Sequence, residues 1–307
     1  MSPHAPLRGL PCAVVDFETT GLPGTGARVV SLAVVHTVLG ATDDARVVLS
    51  SLVRPPIPIP AVVTEIHGIT DAAVAHAPTW DEIADAFEAA CEDRVVVAYN
   101  APADYDFHAV EQDIANRERL EWPWLDLLVV RKATKTRGAP GRLTELAQEH
   151  GIVLDAHGAA GDALTTALLL TPLMRAAWTA GAFSSAAGAQ PKRWSRYGDD
   201  GYDVDDYNED DEPAQKMETW GAFSAWQREA ALYQERDFSA YRLRTGQRRP
   251  ENAWHKLEGV EPPAWPESVT SAPCGRCGAS VRRTIGKDGA VVTVNADGAA
   301  HLCESPR

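Results

Sequence analysis

The sequence predicts an α/β domain, a mixed β-sheet flanked by helices, followed by an acidic linker, a helical segment and a small cysteine-containing unit. Two observations predict it. Apolar β-branched runs follow one another through the first fifty residues and then alternate with segments of helical period, the order of a meander continued by further strands. Beyond residue 183 this pattern gives way to Ser, Ala, Gly and Asp.

"CAVVDF" from Cys12, "RVVSLAVVHTVL" and "ARVVLSSLV" read as three strands joined by short links containing Gly and Asp. "RPPIPIP" follows and cannot sit inside a sheet. "TWDEIADAFEAACE" sets Trp80, Ile83, Phe87 and Ala90 at helical spacing, with Thr79 as N-cap and Glu82 three residues on. "RVVVAYN" is a short buried strand and "DYDFHAVEQDIANRERL" a helix through Phe107, Val110 and Ile114. A further strand is expected near "WPWLDLLVV", then two helices, "GRLTELAQEHG" and "AAGDALTTALLLTPLMRAAW". These elements make a domain at 8–182.

Residues 183–215 read as a disordered linker: 198–212 alone hold nine acids and no base, and such a composition does not offset the entropy of ordering. A chain ending near residue 182 is accordingly expected to fold and function alone. Residues 216–256 return to helical patterning, with Trp220, Phe223 and Trp226 as core or docking residues, plain packing being favoured, and 268–307 form the cysteine-bearing tail.

The chain has 307 residues, 45% of them hydrophobic, enough for one ordinary domain and an appendage. It shows no run of 18 apolar residues and no basic-then-apolar start, so a soluble cytoplasmic protein with no membrane partner is expected. A net charge of -14 argues against broad attraction to nucleic acid. It leaves room for an enzyme that neutralises an acidic centre with metal and grips only a strand end. Five cysteines, three of them in the last 34 residues, are not a secreted disulfide framework. Cys12 and Cys91 lie on apolar elements and read as core, while His108 and His150 read as surface positions on helices.

Asp16 and Glu18 stand at the end of the first apolar run. If the strand continues through them they share one face and repel, a cost that a divalent cation with hard oxygen ligands would remove. If the strand ends by Phe17, both simply face solvent. "YNAPAD" sets Asn100 and Asp104 after a strand, and "HGAAGD" sets His157 five residues before Asp162 at the start of an apolar helix. Strand ends and helix N-termini are where α/β proteins gather reactive groups. Four carboxylates, Asp16, Glu18, Asp104 and Asp162, converging there would hold two divalent ions, and His157 titrates in the range suited to accepting a proton from water.

These residues resemble the DnaQ-like (DEDD) 3'-5' exonuclease superfamily, in its His-containing subgroup. "DFETTGL" is similar to the first family motif and "HGAAGD" to the third, while "IHGIT" at 66–70 and "GRLTELAQEHGI" match its connecting segments. The likeness covers about residues 10–178. The second motif departs: "YNAPAD" keeps Asn100 and Asp104 but has Tyr99 and Ala103 where the family commonly has His and Phe. Asp106 is a second candidate for that carboxylate, and the spacing from Asn100 favours Asp104.

The resemblance implies a ribonuclease H-like fold and hydrolysis of single-stranded DNA or RNA from the 3' end to nucleoside 5'-monophosphates. It implies two Mg²⁺ or Mn²⁺ ions on Asp16, Glu18, Asp104 and Asp162, with His157 as general base. Thr19, Thr20, Leu22 and Asn100 would contact the terminal nucleotide, and replication or repair proteins become candidate partners. Two other classes stay open: a nucleic-acid or replisome binding module that keeps the fold without catalysis, and a structural scaffold. Retention of the four carboxylates and His157 favours the enzyme.

In the tail, "CGRC" at Cys274 and Cys277 is followed by His301 and Cys303. A CxxC pair alone fits metal or redox work. Two clusters flanking a β-rich segment too small for its own core favour structural Zn²⁺ on Cys274, Cys277, His301 and Cys303, a zinc-ribbon-like unit. Its basic residues Arg276, Arg282, Arg283 and Lys287 would permit contact with nucleic acid.

Overall fold

The computed structural model describes residues 1–41, 44–134, 141–152, 158–179, 218–244, 269–273, 277, 279–285, 291–295 and 301. The chain divides into two units, Met1–Trp194 with Asp210–Ala230, and Ser195–Glu209 with Ala231–Arg307. The expected linker at 183–215 lies outside the described residues.

In the first unit, β1 (Pro11–Thr19), β2 (Val29–Val38) and β3 (Arg46–Leu52) form an antiparallel meander. β4 (Val95–Ala98) joins β1 in parallel and β5 (Trp124–Asp126) joins β4, giving the order β3-β2-β1-β4-β5. The sheet is mixed and flanked by helices, as the patterning predicts. Val14, Val15, Val34, Val35, Val96 and Val97 are buried, because helices cover both faces and leave no solvent side for alternation to mark.

Two short helices, α1 (Ala61–His67) and α2 (Asp71–Val74), follow the Pro-rich connection. The β-branched "AVVTEIH" carries no helical signal, and α1 ends where Gly68 takes a left-handed φ of 75° and returns its N–H to Thr64 O. α3 (Trp80–Cys91) has the expected capping box from Thr79 and Glu82, and it buries Trp80, Ala84, Phe87 and Cys91. Cys12 and Cys91 are core residues, as expected.

α4 (Ala101–Ile114) starts earlier than its apolar spacing suggests, directly after Asn100 in the left-handed region and with Pro102 in its first turn. Its register turns His108 inward, 2% exposed, against Trp122, Phe87 and Trp80. The surface placement expected for His108 is thereby corrected.

"WPWLDLLVV" is strand only through Asp126, and α5 (Leu127–Thr134) begins at once. The Asp126 carboxylate accepts the Leu128 N–H at 2.8 Å, a side-chain cap that turns the chain into helix where hydrophobicity alone does not distinguish the two.

α6 (Leu143–Glu149) and α7 (Ala159–Thr179) follow α5. α7 packs on β1 and β2 and buries Ala163, Leu170, Leu173 and Met174. Thr171 pins it to the β2–β3 turn, accepting from Gly40 N at 3.1 Å and donating to Ala41 O at 2.9 Å.

Helix α8 (Trp220–Arg244) begins within the first unit, where Trp220, Phe223 and Trp226 are buried. Its start is tied to the N-terminal segment by the bridge of Thr219 with Pro6 and by Trp220 N–H donating to Ala5 O.

In the second unit, β6 (Val269–Pro273), β7 (Ser280–Ile285) and β8 (Val291–Val294) form an antiparallel sheet. No zinc ribbon is defined among the described residues. None of the described helices is long and apolar enough to cross a membrane.

Candidate active site

β1 stays extended through Thr19, so Asp16 and Glu18 project to one face and Phe17 to the other. Phe17 packs against Phe87 and Trp80 of α3, with ring centroids 5.4 and 6.0 Å away. That partly buried ring helps to fix the strand's rotation. The two acids are half-buried and turned toward Asp162 in the first turn of α7; the alternative in which they face solvent beyond a finished strand does not hold. Asp16, Glu18 and Asp162 bring carboxylate oxygens within 4.8 Å of one another.

Asp104 completes the acidic centre from the first turn of α4, buried and within electrostatic reach of Asp16. Burial raises the proton affinity of Asp16 well above the usual carboxylate range, and Asp104, Asp162 and Glu18 add to it. Glu18 is pushed up to about 7 by burial and by Asp162. Asp104 is raised chiefly by burial, with Asp126 and Glu18 adding, against the pull of the backbone of Asp104 and Phe17. The centre is thus an oxygen-only set that resists carrying its own charge. That chemistry fits hard divalent cations such as Mg²⁺ or Mn²⁺.

Around it, the loop after β1 is closed by reciprocal bonds: Thr20 N–H donates to Arg28 O at 2.8 Å, and Arg28 N–H to Thr20 Oγ1 at 2.9 Å. Thr20 is buried, the Thr19 hydroxyl donates to Gly21 O, and Leu22 stands 74% exposed at the loop's outer side. Asn100 caps α4 with φ 79° and donates its N–H to Asp126 Oδ1 at 2.9 Å. Tyr99 donates its hydroxyl to Gly141 O at 2.6 Å. His157 lies outside the described residues.

Two residues that shape the site carry no local signal. Glu111, 2% exposed, accepts from Arg28 Nε and from Val29 N–H, joining α4 to the start of β2. Asp126 ties β5 to α4 across 26 residues of sequence. Only an acid inside an apolar strand run, which Asp126 is, could have drawn attention to it.

In the second unit, Cys277 Sγ lies 3.4 Å from His301 Nε2, and His301 Nδ1 meets Asn295 Oδ1 at 2.8 Å. Cys274 and Cys303 lie outside the described residues.

Comparison with known proteins places these features. The family described as Exonuclease (RNase_T) matches residues 13–170, just over half of the chain. A DNA polymerase III subunit epsilon-like protein of Rhodobacter capsulatus is 36% identical over 180 residues, covering 56% of this chain and 25% of that protein. An uncharacterised exonuclease, CP81, of Escherichia phage 186 is 41% identical over 99 residues, covering 32% of this chain and 46% of that one. The chain thus spans less than half the length of these relatives. Among solved structures, exonuclease X in complex with 5' overhanging duplex DNA is 26% identical with a TM-score of 0.41, covering 53% of this chain and 91% of its own.

Proposed function

The chain belongs to the RNase_T exonuclease family, and on that premise we propose that it is a metal-dependent 3'-5' exonuclease releasing nucleoside 5'-monophosphates from the 3' end of single-stranded DNA or RNA. The observation that carries this reading is the clustering of Asp16, Glu18 and Asp162 from β1 and α7, with Asp104 reaching them from α4. These four would hold two Mg²⁺ or Mn²⁺ ions. Bound there, the ions supply neutralisation of the phosphate's charge and acidification of the attacking water.

The protein's own groups do the rest. The backbone at Thr19 and Thr20, where β1 ends, and the exposed Leu22 face the terminal nucleotide, and Asn100 lines the same end of the sheet. His157, next in sequence to the Gly158 whose carbonyl accepts the Asp162 N–H, takes the proton from the attacking water. The net charge of -14 disfavours broad contact with nucleic acid and leaves the strand end as the point of grip. The likeness to a polymerase III subunit epsilon-like protein supports replication or repair proteins as partners.

For the second unit, the Cys277–His301 separation supports structural Zn²⁺. Zinc bonds of about 2.3 Å to sulfur and 2.0 Å to nitrogen at a tetrahedral angle put the two ligand atoms about 3.5 Å apart. Asn295 at the other ring nitrogen is the kind of contact that orients a metal-bound imidazole. Cys274 and Cys303 would supply the remaining thiolates.

The test is hydrolysis of 5'-labelled single strands with Mg²⁺ or Mn²⁺. Stepwise shortening from the 3' end, abolished by chelator, is expected. His157→Ala should slow turnover by about 10²- to 10⁴-fold. Strands bound but never shortened, for both DNA and RNA, would leave the binding module as the answer.

A further inference from the structure

Gln227 lies on α8, 101 residues after Asp126 of β5, yet its side chain is 1% exposed and meets the edge of the first unit's sheet. β5 is an edge of the five-stranded sheet, and among the described residues no further strand meets the backbone groups on its outer side. Gln227 meets them instead: Nε2 donates to Trp124 O and Oε1 accepts from Asp126 N–H, each at 2.9 Å. One primary amide offers a donor and an acceptor side by side, as a residue of a sixth strand would.

The backbone so held carries the Asp126 carboxylate, itself 2% exposed, whose Oδ1 accepts from Leu128 N–H and from Asn100 N–H. Asn100 sits at φ 79°, ψ 54°, a conformation a non-glycine residue keeps only when its surroundings impose it. That residue starts α4, and Asp104 lies four residues on, in the helix's first turn. α8 has its own anchors. Trp220, Phe223 and Trp226 are buried, and Gly221 donates to Pro3 O so closely that a Cβ there would lie 2.9 Å from that oxygen.

We propose that Gln227 is a positioning residue for the exonuclease centre, fixing through β5, Asp126 and Asn100 the helix start that aims Asp104. The proposal rests on the reading of the centre as a metal-dependent exonuclease. It also makes the helix after the linker part of the working domain, so that a chain ending near residue 182 would lack one of the domain's supports.

The experiment compares the full chain, its Gln227→Met variant, which keeps length without hydrogen bonding, and Leu39→Ala, a core change remote from this path. In metal-free protein, amide exchange at Asn100 and Leu128 should accelerate at least about tenfold in Gln227→Met, while Val14 and Val15 keep their protection. Half-saturating Mn²⁺, measured by calorimetry without substrate, should rise about tenfold, with KM for a short oligonucleotide within about twofold of wild type. Leu39→Ala should lower the melting temperature without either change. Should Gln227→Met not fold, Gln227→Asn, one methylene shorter, is read in the same way.

Unchanged exchange at Asn100, or a Mn²⁺ requirement no different from that of Leu39→Ala, overturns the proposal. A wild-type chain that neither binds Mn²⁺ nor shortens strands overturns the exonuclease reading instead, and the exchange measurement still decides the link from Gln227 to α4.

Discussion

Asp16 and Glu18 are held together against their mutual repulsion by the residue between them, since rotating β1 to release them would pull Phe17 off the rings of Phe87 and Trp80. The cost appears in proton affinity. A carboxyl whose folded-state pKa is raised stabilises the fold fully only below its unfolded value, and that stability is lost as pH rises through the folded value. For Glu18 the window runs from the ordinary carboxylate range to about 7, and Asp16 is shifted in the same direction. Asp16→Asn should therefore melt higher than wild type without metal at pH 8, with the gap narrowing toward pH 4, at about 2–4 °C for each kcal/mol relieved. Mg²⁺ should raise the melting point of wild type and leave that of the variant nearly unchanged. Scanning fluorimetry across pH, with and without Mg²⁺, checks both; a variant less stable than wild type at pH 8 would mean that the acids do not strain the fold. Asp16, Glu18, Asp104 and Asp162 were legible because each stands in a short pattern with its neighbours. Asp126 and Gln227 were not, because what they do depends on partners 26 and 101 residues away.

α4 shows what an element adds beyond its residues. Its inner face carries Asp104 to the acidic centre and His108 into a box of rings, with Trp122 at 4.8 Å and Phe87 at 5.8 Å. Burial, with a smaller push from Arg119, lowers His108 to about 4. The unfolded chain therefore takes up this proton first, and stability falls as pH drops from about 6.5 to 4. Over that window the shift corresponds to roughly 3 kcal/mol. His108→Phe removes the titrating group and should flatten this part of the curve. Urea unfolding of both proteins at pH 7 and pH 4.5 gives the comparison, and parallel losses would exclude His108 as the acid-sensitive group. The periodicity of α3 and its capping box were readable from local sequence. The early start of α4 and the turn of "WPWLDLLVV" into α5 were not. Asn100, where α4 starts, is held by Asp126 across 26 residues, a bond that no window of sequence contains; the Asp126 cap that starts α5 is local, but an apolar run on both sides of it hides it.

At the scale of the whole chain, the first unit gathers carboxylates that could hold a hard divalent ion. The zinc proposed for the second unit, where a thiol lies 3.4 Å from an imidazole, is tested separately. Protein purified without chelator should carry about one zinc per chain by elemental analysis, and Cys277→Ser should lose it while keeping Mg²⁺-dependent hydrolysis. Zinc absent from the wild-type protein would remove the metal from the second unit. The mixed sheet was legible from the order of its runs. The share of α8 in the first unit was not, because aromatic spacing says that a helix packs and not what it packs against.

The seal that Gln227 places on β5 also sets an order of events during biosynthesis. Strand and seal are separated by 101 residues, a span that takes roughly 5–20 s to synthesise at about 5–20 residues per second. Throughout that interval the nascent sheet has an open border, able to pair with a border on a neighbouring ribosome's product. The domain becomes safe from such pairing only once a segment far downstream of its last strand has emerged, so translation speed through the acidic stretch governs how long the newborn protein stays vulnerable.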